Sequence, residues 1–94
     1  MADNKATYRP IAIAAAQAAG VPVDVFLRLI DQESGFDPNV VSPVGALGIA
    51  QFMPRTAAAI GVDPLEPEAA LYASAQHLRG LYDASGDWRI AVAA

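Results

Sequence analysis

Residues 33–54, ESGFDPNVVSPVGALGIAQFMP, hold the pattern that decides the fold of this chain. They follow an amphipathic segment in which Phe26, Leu29 and Ile30 recur at helical spacing. At about 100° per residue, Glu33 falls one turn beyond Leu29 and Ile30, on the same apolar stripe. A carboxyl that is desolvated by apolar neighbours favours its neutral form and can donate its proton to a leaving group. The spacing therefore leaves two interpretations of Glu33, a buried proton donor and a carboxylate at the helix end that reaches out to water, and periodicity alone favours the second.

The segment after Glu33 is predicted to be a loop, because glycine, proline, asparagine and serine crowd residues 35–50. A short, irregular β-like turn is the most regular structure expected there. Gly45 and Gly48 permit backbone conformations and close approaches that other residues resist, which suits a loop against an extended ligand or an ordinary tight turn. Gln51 carries an amide that can donate and accept hydrogen bonds to hydroxyl and amide groups of a ligand, and the alternative is a surface amide.

The remaining polar and apolar residues of this stretch have less specific interpretations. Ser34 and Ser42 can hydrogen-bond the Glu33 carboxyl or cap the local backbone, and capping is favoured for Ser34. Met53 is expected in the core or in the wall of a cleft. Asp37 precedes a proline and is interpreted as a turn residue, so Glu33 is the single candidate acid.

Helices are predicted over most of the chain from hydrophobic periodicity and from start and stop signals. The first is expected to begin at Thr7 as its N-cap, to carry Pro10 in its first turn and to stop at Gly20. Asp87 is a good N-cap for a last helix that begins at Trp88. The predicted helices cover residues 7–19, 22–33, 54–60 and 67–82 and those from 88 onward, so the fold class is all-α.

Length and composition favour one small domain. The chain has 94 residues, and no repeat, low-complexity tract or linker divides it. Much of the 54% hydrophobic content is alanine, which suits close packing of helices more than burial of large side chains. A single alanine-rich helical domain is therefore expected over residues 1–94.

Charge and residue usage exclude several classes of partner. The net charge is −4 without any run of lysine or arginine, so nucleic acid and anionic membrane surfaces are not expected as partners. The chain has no cysteine, and His77 is its lone histidine, so no metal and no cofactor are expected. Residues 11–19 are apolar but too short for membrane insertion. The first ten residues lack the basic and apolar regions of a secretory signal.

Taken together, these motifs resemble the soluble lytic transglycosylase (SLT) domain, a lysozyme-like fold that cleaves bacterial peptidoglycan. The family pattern is Glu-Ser, then Ser-x-x-Gly-Ala-x-Gly, then Gln, an apolar residue, Met and Pro. The matching positions in this chain are Glu33-Ser34, Ser42 through Gly48, and Gln51 through Pro54. The resemblance covers residues 10–94 and implies about five helices around a glycan cleft, all-α or at most α+β.

The resemblance also implies a mechanism and a set of site residues. In the family, one glutamate protonates the glycosidic oxygen between N-acetylmuramic acid and N-acetylglucosamine. The same glutamate then removes the proton of the muramoyl 6-hydroxyl, which closes a 1,6-anhydro ring without water. By resemblance Glu33 holds both roles and the partner is a peptidoglycan glycan strand. Gln51 is implied to line the cleft, and the other implied substrate contacts are Ser34, Ser42, Gly48 and Met53.

The sequence departs from the family pattern near its end. The family helix that corresponds to the one beginning at Trp88 normally continues into a Tyr-Asn-Ala-Gly motif, whereas this sequence ends at Ala94. We therefore expect the C-terminal part of the family fold to be missing, and the cleft to be completed by a further polypeptide segment or a virion protein. His77 stands where the family commonly has tyrosine and is expected to pack along its helix. Trp88 is expected to anchor the last helix.

Two other functions stand beside the lytic transglycosylase. One is a hydrolytic lysozyme of the goose type, with the same fold and water as the acceptor. The other is a non-catalytic wall-binding or virion structural module. Because a secretory signal is absent, a virion-associated or phage lysis enzyme acting at the bacterial cell wall is favoured, and a cytoplasmic protein released by lysis is the alternative.

Overall fold

The computed structural model describes residues 3–93, in which five helices surround a long loop; Ala94, the predicted end of the last helix, lies outside them. The loop of residues 35–53 contains two isolated antiparallel bridges, Val41 with Leu47 and Leu47 with Phe52. The predictions of an all-α fold and of a short β-like turn are therefore confirmed. The helices are α1 (Asn4–Ala19), α2 (Val23–Ser34), α3 (Pro54–Ile60), α4 (Pro67–Ser85) and α5 (Trp88–Ala93).

The start of α1 differs from the prediction. The side chain of Asp3 accepts hydrogen bonds from the backbone N–H groups of Lys5 and Ala6, at 3.0 and 3.4 Å, and so caps the helix. The prediction that Thr7 is the N-cap is therefore wrong. Pro10 consequently lies inside α1 rather than in its first turn.

The end of α4 also differs from the prediction, whereas the bounds of α3 and the start of α5 are confirmed. The sequence predicted that α4 stops near Tyr82, but the helix continues to Ser85. An ion pair one turn apart, with Arg79 Nε 2.9 Å from Asp83 Oδ1, supports the extra turn. Gly86 then closes the helix in a left-handed conformation.

The core lies where α1 packs against α2 and α4, and α4 packs against α5. Every buried residue of α1 is an alanine, which allows α1 to approach α4 closely, as the composition predicted. In α2, Phe26 and Ile30 are fully buried, whereas Leu29 is only half-buried. The apolar stripe of α2 is therefore split between the core and a neighbouring surface, and that division decides where Glu33 points.

A side-chain hydrogen bond ties the loop to the end of α2. The Ser34 hydroxyl lies 2.6 Å from the carbonyl oxygen of Ile49 and 3.3 Å from that of Ile30. Ile49 is fully buried, so its carbonyl needs a donor within the protein. Ser34 therefore holds the loop in place and does not bond the Glu33 carboxyl.

Replacing Ser34 by alanine is expected to lower the free energy of unfolding by about 1–3 kcal/mol, because the buried carbonyl of Ile49 loses this donor. Urea denaturation of the variant measures the change. The matched control is Ser85→Ala, which alters a helix-end serine whose hydrogen bonds to the backbone of Asp87 are exposed to water. Equal losses in the two variants would contradict the role given to Ser34.

No helix within residues 3–93 combines the length and the hydropathy that crossing a bilayer requires.

Candidate active site

A groove of about 210 Å³ lies between α2, the end of the loop and α4, with α3 and α5 at its borders. It contains Glu33 and Gln51, the two residues that the sequence singled out most strongly. The remaining lining is mainly apolar. The lining residues are Leu29, Glu33, Ala50, Gln51, Phe52, Met53, Thr56, Ser74, His77, Leu78, Leu81, Ala91 and Val92.

Glu33 lies in the wall of this groove and its side chain is exposed. The interpretation that apolar neighbours bury it is therefore wrong. Ile30 turns into the core, whereas Leu29 and Glu33, one helical turn apart, both face the groove. Among the residues that the structure describes, the Glu33 carboxylate is thus presented to a ligand and not enclosed by the protein.

Gln51 is positioned by a backbone conformation that is uncommon for a residue with a side chain. Its φ is +56°. Gln51 lies in the turn that two backbone hydrogen bonds between Leu47 and Phe52 close. Its Nε2 lies 3.0 Å from the carbonyl oxygen of Val40 and 2.8 Å from that of Gly48. Because both amide hydrogens are directed at carbonyls, the Gln51 Oε1 is the atom that remains to accept a hydrogen bond from a ligand.

Of the other predicted contacts, Met53 lies in the groove, whereas Ser42 and Gly48 lie in the loop and Ser34 ends α2. Met53 lines the groove and is 43% exposed. Ser34, Ser42 and Gly48 are not among the described residues that line it. The Ser42 hydroxyl accepts the backbone N–H of Ala46 at 3.0 Å, which closes a turn of the loop. These three residues shape the loop that carries Gln51 and Met53.

His77 is a groove residue that the sequence reasoning missed. It was expected to pack along its helix, but its side chain is exposed and lines the groove on α4. Its ring meets Phe52 edge to face, with centroids 6.4 Å apart and planes at 64°. His77 lies three residues after Ser74, which also lines the groove, but the sequence alone does not show which face of α4 meets the loop.

A known domain family matches most of this chain. The model of the transglycosylase SLT domain family matches residues 10–94. The chain belongs to the SLT family. The match contains the whole groove, from Leu29 on α2 to Val92 on α5.

Three relatives of this SLT domain come from phages and from a bacterium. Over 75 residues it is 40% identical to the peptidoglycan transglycosylase gp16 of Escherichia phage T7. Over 67 residues it is 37% identical to the transglycosylase of Enterobacteria phage PRD1. Over 84 residues it is 33% identical to the membrane-bound lytic murein transglycosylase F 1 of Alkalilimnicola ehrlichii.

The matched regions are a large share of this chain and a small share of the relatives. They cover 71%, 70% and 88% of the SLT domain described here, in the same order. They cover only 6%, 25% and 17% of the respective relatives. The comparisons therefore identify a domain, and each relative contains much more than that domain.

Helix α5 forms one border of the SLT groove, and the side chain of Asp87 caps its first turn. The Asp87 Oδ1 accepts the backbone N–H of Arg89 at 2.8 Å, and the Arg89 Nη2 lies 3.2 Å from Asp87 Oδ2. The Arg89 side chain first, and then its backbone N–H, hold the pKa of the Asp87 carboxyl below its ordinary value of 3.8. Trp88 stacks on Tyr82 with ring centroids 4.0 Å apart, which attaches α5 to α4.

Acid is expected to loosen α5 before the core. Because the pKa of Asp87 is lowered by folding, its stabilising contribution is complete above the ordinary value and is lost as the pH falls through the lowered pKa. We expect the amide protection of α5, relative to that of α2, to be constant above about pH 4 and to fall below it. Hydrogen exchange followed by NMR measures both helices together.

Asp87→Asn is the matched control for that experiment, because asparagine also caps helices but does not titrate. Its α5 protection is expected to fall no faster than that of α2. A decline that is the same in Asp87→Asn and in the unsubstituted chain would exclude Asp87 as the group responsible.

Proposed function

We propose that this chain is the catalytic domain of a peptidoglycan lytic transglycosylase, with Glu33 as its only acid–base group. The chain is proposed to form a single lysozyme-like domain. The observation that carries it is that Glu33 and Gln51, held by different elements, open onto one groove. The proposed substrate bond is the β-1,4 linkage from N-acetylmuramic acid to N-acetylglucosamine.

In the proposed reaction the Glu33 carboxylic acid gives its proton to the glycosidic oxygen, and the bond from that oxygen to the muramoyl C1 breaks. The oxygen of the muramoyl N-acetyl group bonds to C1 and stabilises its positive charge. The Glu33 carboxylate then takes the proton of the 6-hydroxyl while O6 attacks C1 and displaces the acetyl oxygen. The products are a 1,6-anhydromuramoyl end and a free 4-hydroxyl, and Glu33 is protonated again.

Because Glu33 is exposed, its carboxyl can lose contact with water only when a substrate covers it. A sugar strand lying over Glu33 displaces water from the carboxyl and so favours the neutral form that donates a proton. Apart from His77, the described residues that line the groove with Glu33 carry no charge, and Leu29 and Leu78 are among the apolar ones. Binding of the strand, and not burial in the free protein, is thus proposed to favour the protonated form of Glu33.

The remaining site residues are proposed to bind or to position the strand. Gln51 accepts a hydrogen bond from a sugar through Oε1, and Met53 contacts an apolar sugar face. The other predicted contacts, Ser34, Ser42 and Gly48, act on the substrate through the loop that they hold.

The whole protein is proposed to act at the bacterial cell wall, as part of a phage particle or a phage lysis system. Two relatives named as transglycosylases are phage proteins, which supports this origin. A further polypeptide segment or a virion protein is proposed to cover the side of the groove near α5. The exposure of Glu33 and the half-buried Trp88 and Val92 on that side support such a cover.

Mass spectrometry of digested peptidoglycan tests the reaction. We expect muropeptides that end in 1,6-anhydromuramic acid and lack the mass of one water relative to the hydrolytic product. Reducing muramoyl ends would instead identify a hydrolase of the goose type and would contradict the lyase mechanism.

A non-catalytic wall-binding module is the second candidate, and the exposure of Glu33 favours it. Such a module binds glycan through the same groove without cleaving it. Calorimetric titration with chitotetraose, combined with the digest, separates the two functions. Binding without turnover would support the module, and turnover would exclude it.

A further inference from the structure

The SLT groove contains two titratable side chains among the residues that line it, Glu33 on α2 and His77 on α4. The loop, α3 and α5 contribute no charged side chain to the described lining. His77 is exposed, and its ring is braced edge-on by the buried ring of Phe52. The imidazole is therefore held in the groove with its nitrogens available to a ligand.

We propose that His77 is a substrate-binding residue that selects glycan strands bearing carboxylates and does so more strongly as the pH falls. This inference rests on the proposed glycan-binding function of the groove. Histidine is the side chain that gains a positive charge between pH 8 and pH 5. Peptidoglycan strands carry carboxylates on the stem peptides of their muramoyl residues or, where the peptide has been removed, on the lactyl groups, whereas chitin oligomers carry none. A protonated His77 thus distinguishes the two strands in a groove that otherwise offers only the negative charge of Glu33.

The charges of Glu33 and His77 also have opposite effects on an anionic strand in the groove. Glu33 as a carboxylate repels an anionic strand, and a cationic His77 on the opposite helix offsets that repulsion. As a substrate-binding residue, His77 affects affinity and its pH dependence rather than the proton transfers at the scissile bond. Its removal is therefore expected to raise KM for anionic strands at pH 5.5 and to leave kcat nearly unchanged.

The test is a binding measurement in the Glu33→Gln background, where His77 is the one titratable side chain among the described lining residues. The ligands are a GlcNAc–MurNAc tetrasaccharide with free lactyl carboxylates and neutral chitotetraose. From pH 8 to pH 5.5 the Kd of the anionic ligand is expected to fall about two- to fivefold, the effect of one exposed ion pair. The Kd of chitotetraose is expected to stay constant.

Two further variants in the Glu33→Gln background test whether the pH dependence of the Kd comes from His77. His77→Gln is expected to remove the pH dependence. The combination Gln76→His with His77→Gln keeps the composition and net charge but moves the imidazole one position along α4, to an exposed residue outside the groove lining. It is also expected to show no pH dependence.

The outcomes separate this inference from the proposed function. A pH-independent Kd for the anionic ligand, or a pH dependence that survives in His77→Gln, would overturn the role of His77 while leaving glycan binding and turnover intact. Failure of both ligands to bind would overturn the groove as a glycan site, and with it this inference. Turnover by the unsubstituted chain is assayed separately at saturating substrate, where kcat is expected not to depend on His77.

Discussion

Replacing Glu33 by glutamine is expected to abolish cleavage of peptidoglycan and to leave the fold unchanged. A positioned acid–base group contributes about 10²–10⁴-fold to a rate, and here the same carboxyl is proposed to act twice. Because Glu33 is exposed, the substitution creates no cavity and leaves no buried group without a partner. Release of soluble muropeptides from purified cell walls measures the rate, and thermal unfolding verifies the fold.

The matched control for Glu33→Gln is Asp31→Asn on the same helix. Asp31 is also an exposed carboxylate, but it pairs with Lys5 of α1 at 3.1 Å and lies outside the groove lining. It is expected to retain the cleavage rate of the unsubstituted chain. A Glu33→Gln variant as active as Asp31→Asn would remove Glu33 from the mechanism.

Replacing Gly48 by alanine is expected to cause the largest loss of stability of any single methyl group added to the loop. Gly48 has a φ of +77°, and a Cβ there would collide with the backbone carbonyl oxygen of Pro64. Because backbone atoms cannot move aside like a flexible side chain, we expect a loss of about 3–5 kcal/mol in the free energy of unfolding. Cleavage is expected to fall as well, since Gln51 donates to the carbonyl of Gly48.

Gly45→Ala is the control that measures the backbone strain of a positive φ without the collision expected in Gly48→Ala. Gly45 also has a positive φ, +89°, but a Cβ there would meet no atom within 4 Å. It therefore carries only the strain of a left-handed residue, about 1–2 kcal/mol. Urea denaturation of both variants measures the difference. Similar losses at Gly45 and Gly48 would contradict the close approach of the loop to Pro64.

The local signals of the sequence were sufficient for much of the helical framework. Pro54 and Gly61 bound α3 as predicted, because proline is suited to a first helical turn and glycine to a left-handed helix end. The start of α1 was misplaced because Asp3 and Thr7 both carry side chains that can cap, and only the hydrogen bonds decide between them.

The orientation of the site required tertiary information. Periodicity placed Glu33 on the apolar stripe of α2, but it could not tell which part of that stripe faces α1 and which part faces the groove. Ile30 enters the core and Leu29 does not, because α1 packs against one side of α2. His77 was missed for the same reason, since its environment is set by Phe52 from a distant loop.

The hydrogen-bond partners of Gln51 likewise could not be predicted from the local sequence. The sequence indicated an amide that could donate and accept, and the fold directs both of its hydrogens to the loop carbonyls of Val40 and Gly48. Only the acceptor function is left for a ligand. The residue types of the site were thus predictable, whereas the partners of each side chain were not.

A glycan strand is proposed to lie in the groove between α2, the loop and α4, and the roles given to Glu33 and Gln51 require it. The most direct test is an NMR titration of the Glu33→Gln chain with chitotetraose, following every backbone amide. We predict that the largest shifts cluster at position 33, Gln51, Met53, Ser74 and His77. Shifts confined to the opposite face around Lys5 and Arg9, or no shift in a chain that still cleaves peptidoglycan when unsubstituted, would contradict the account.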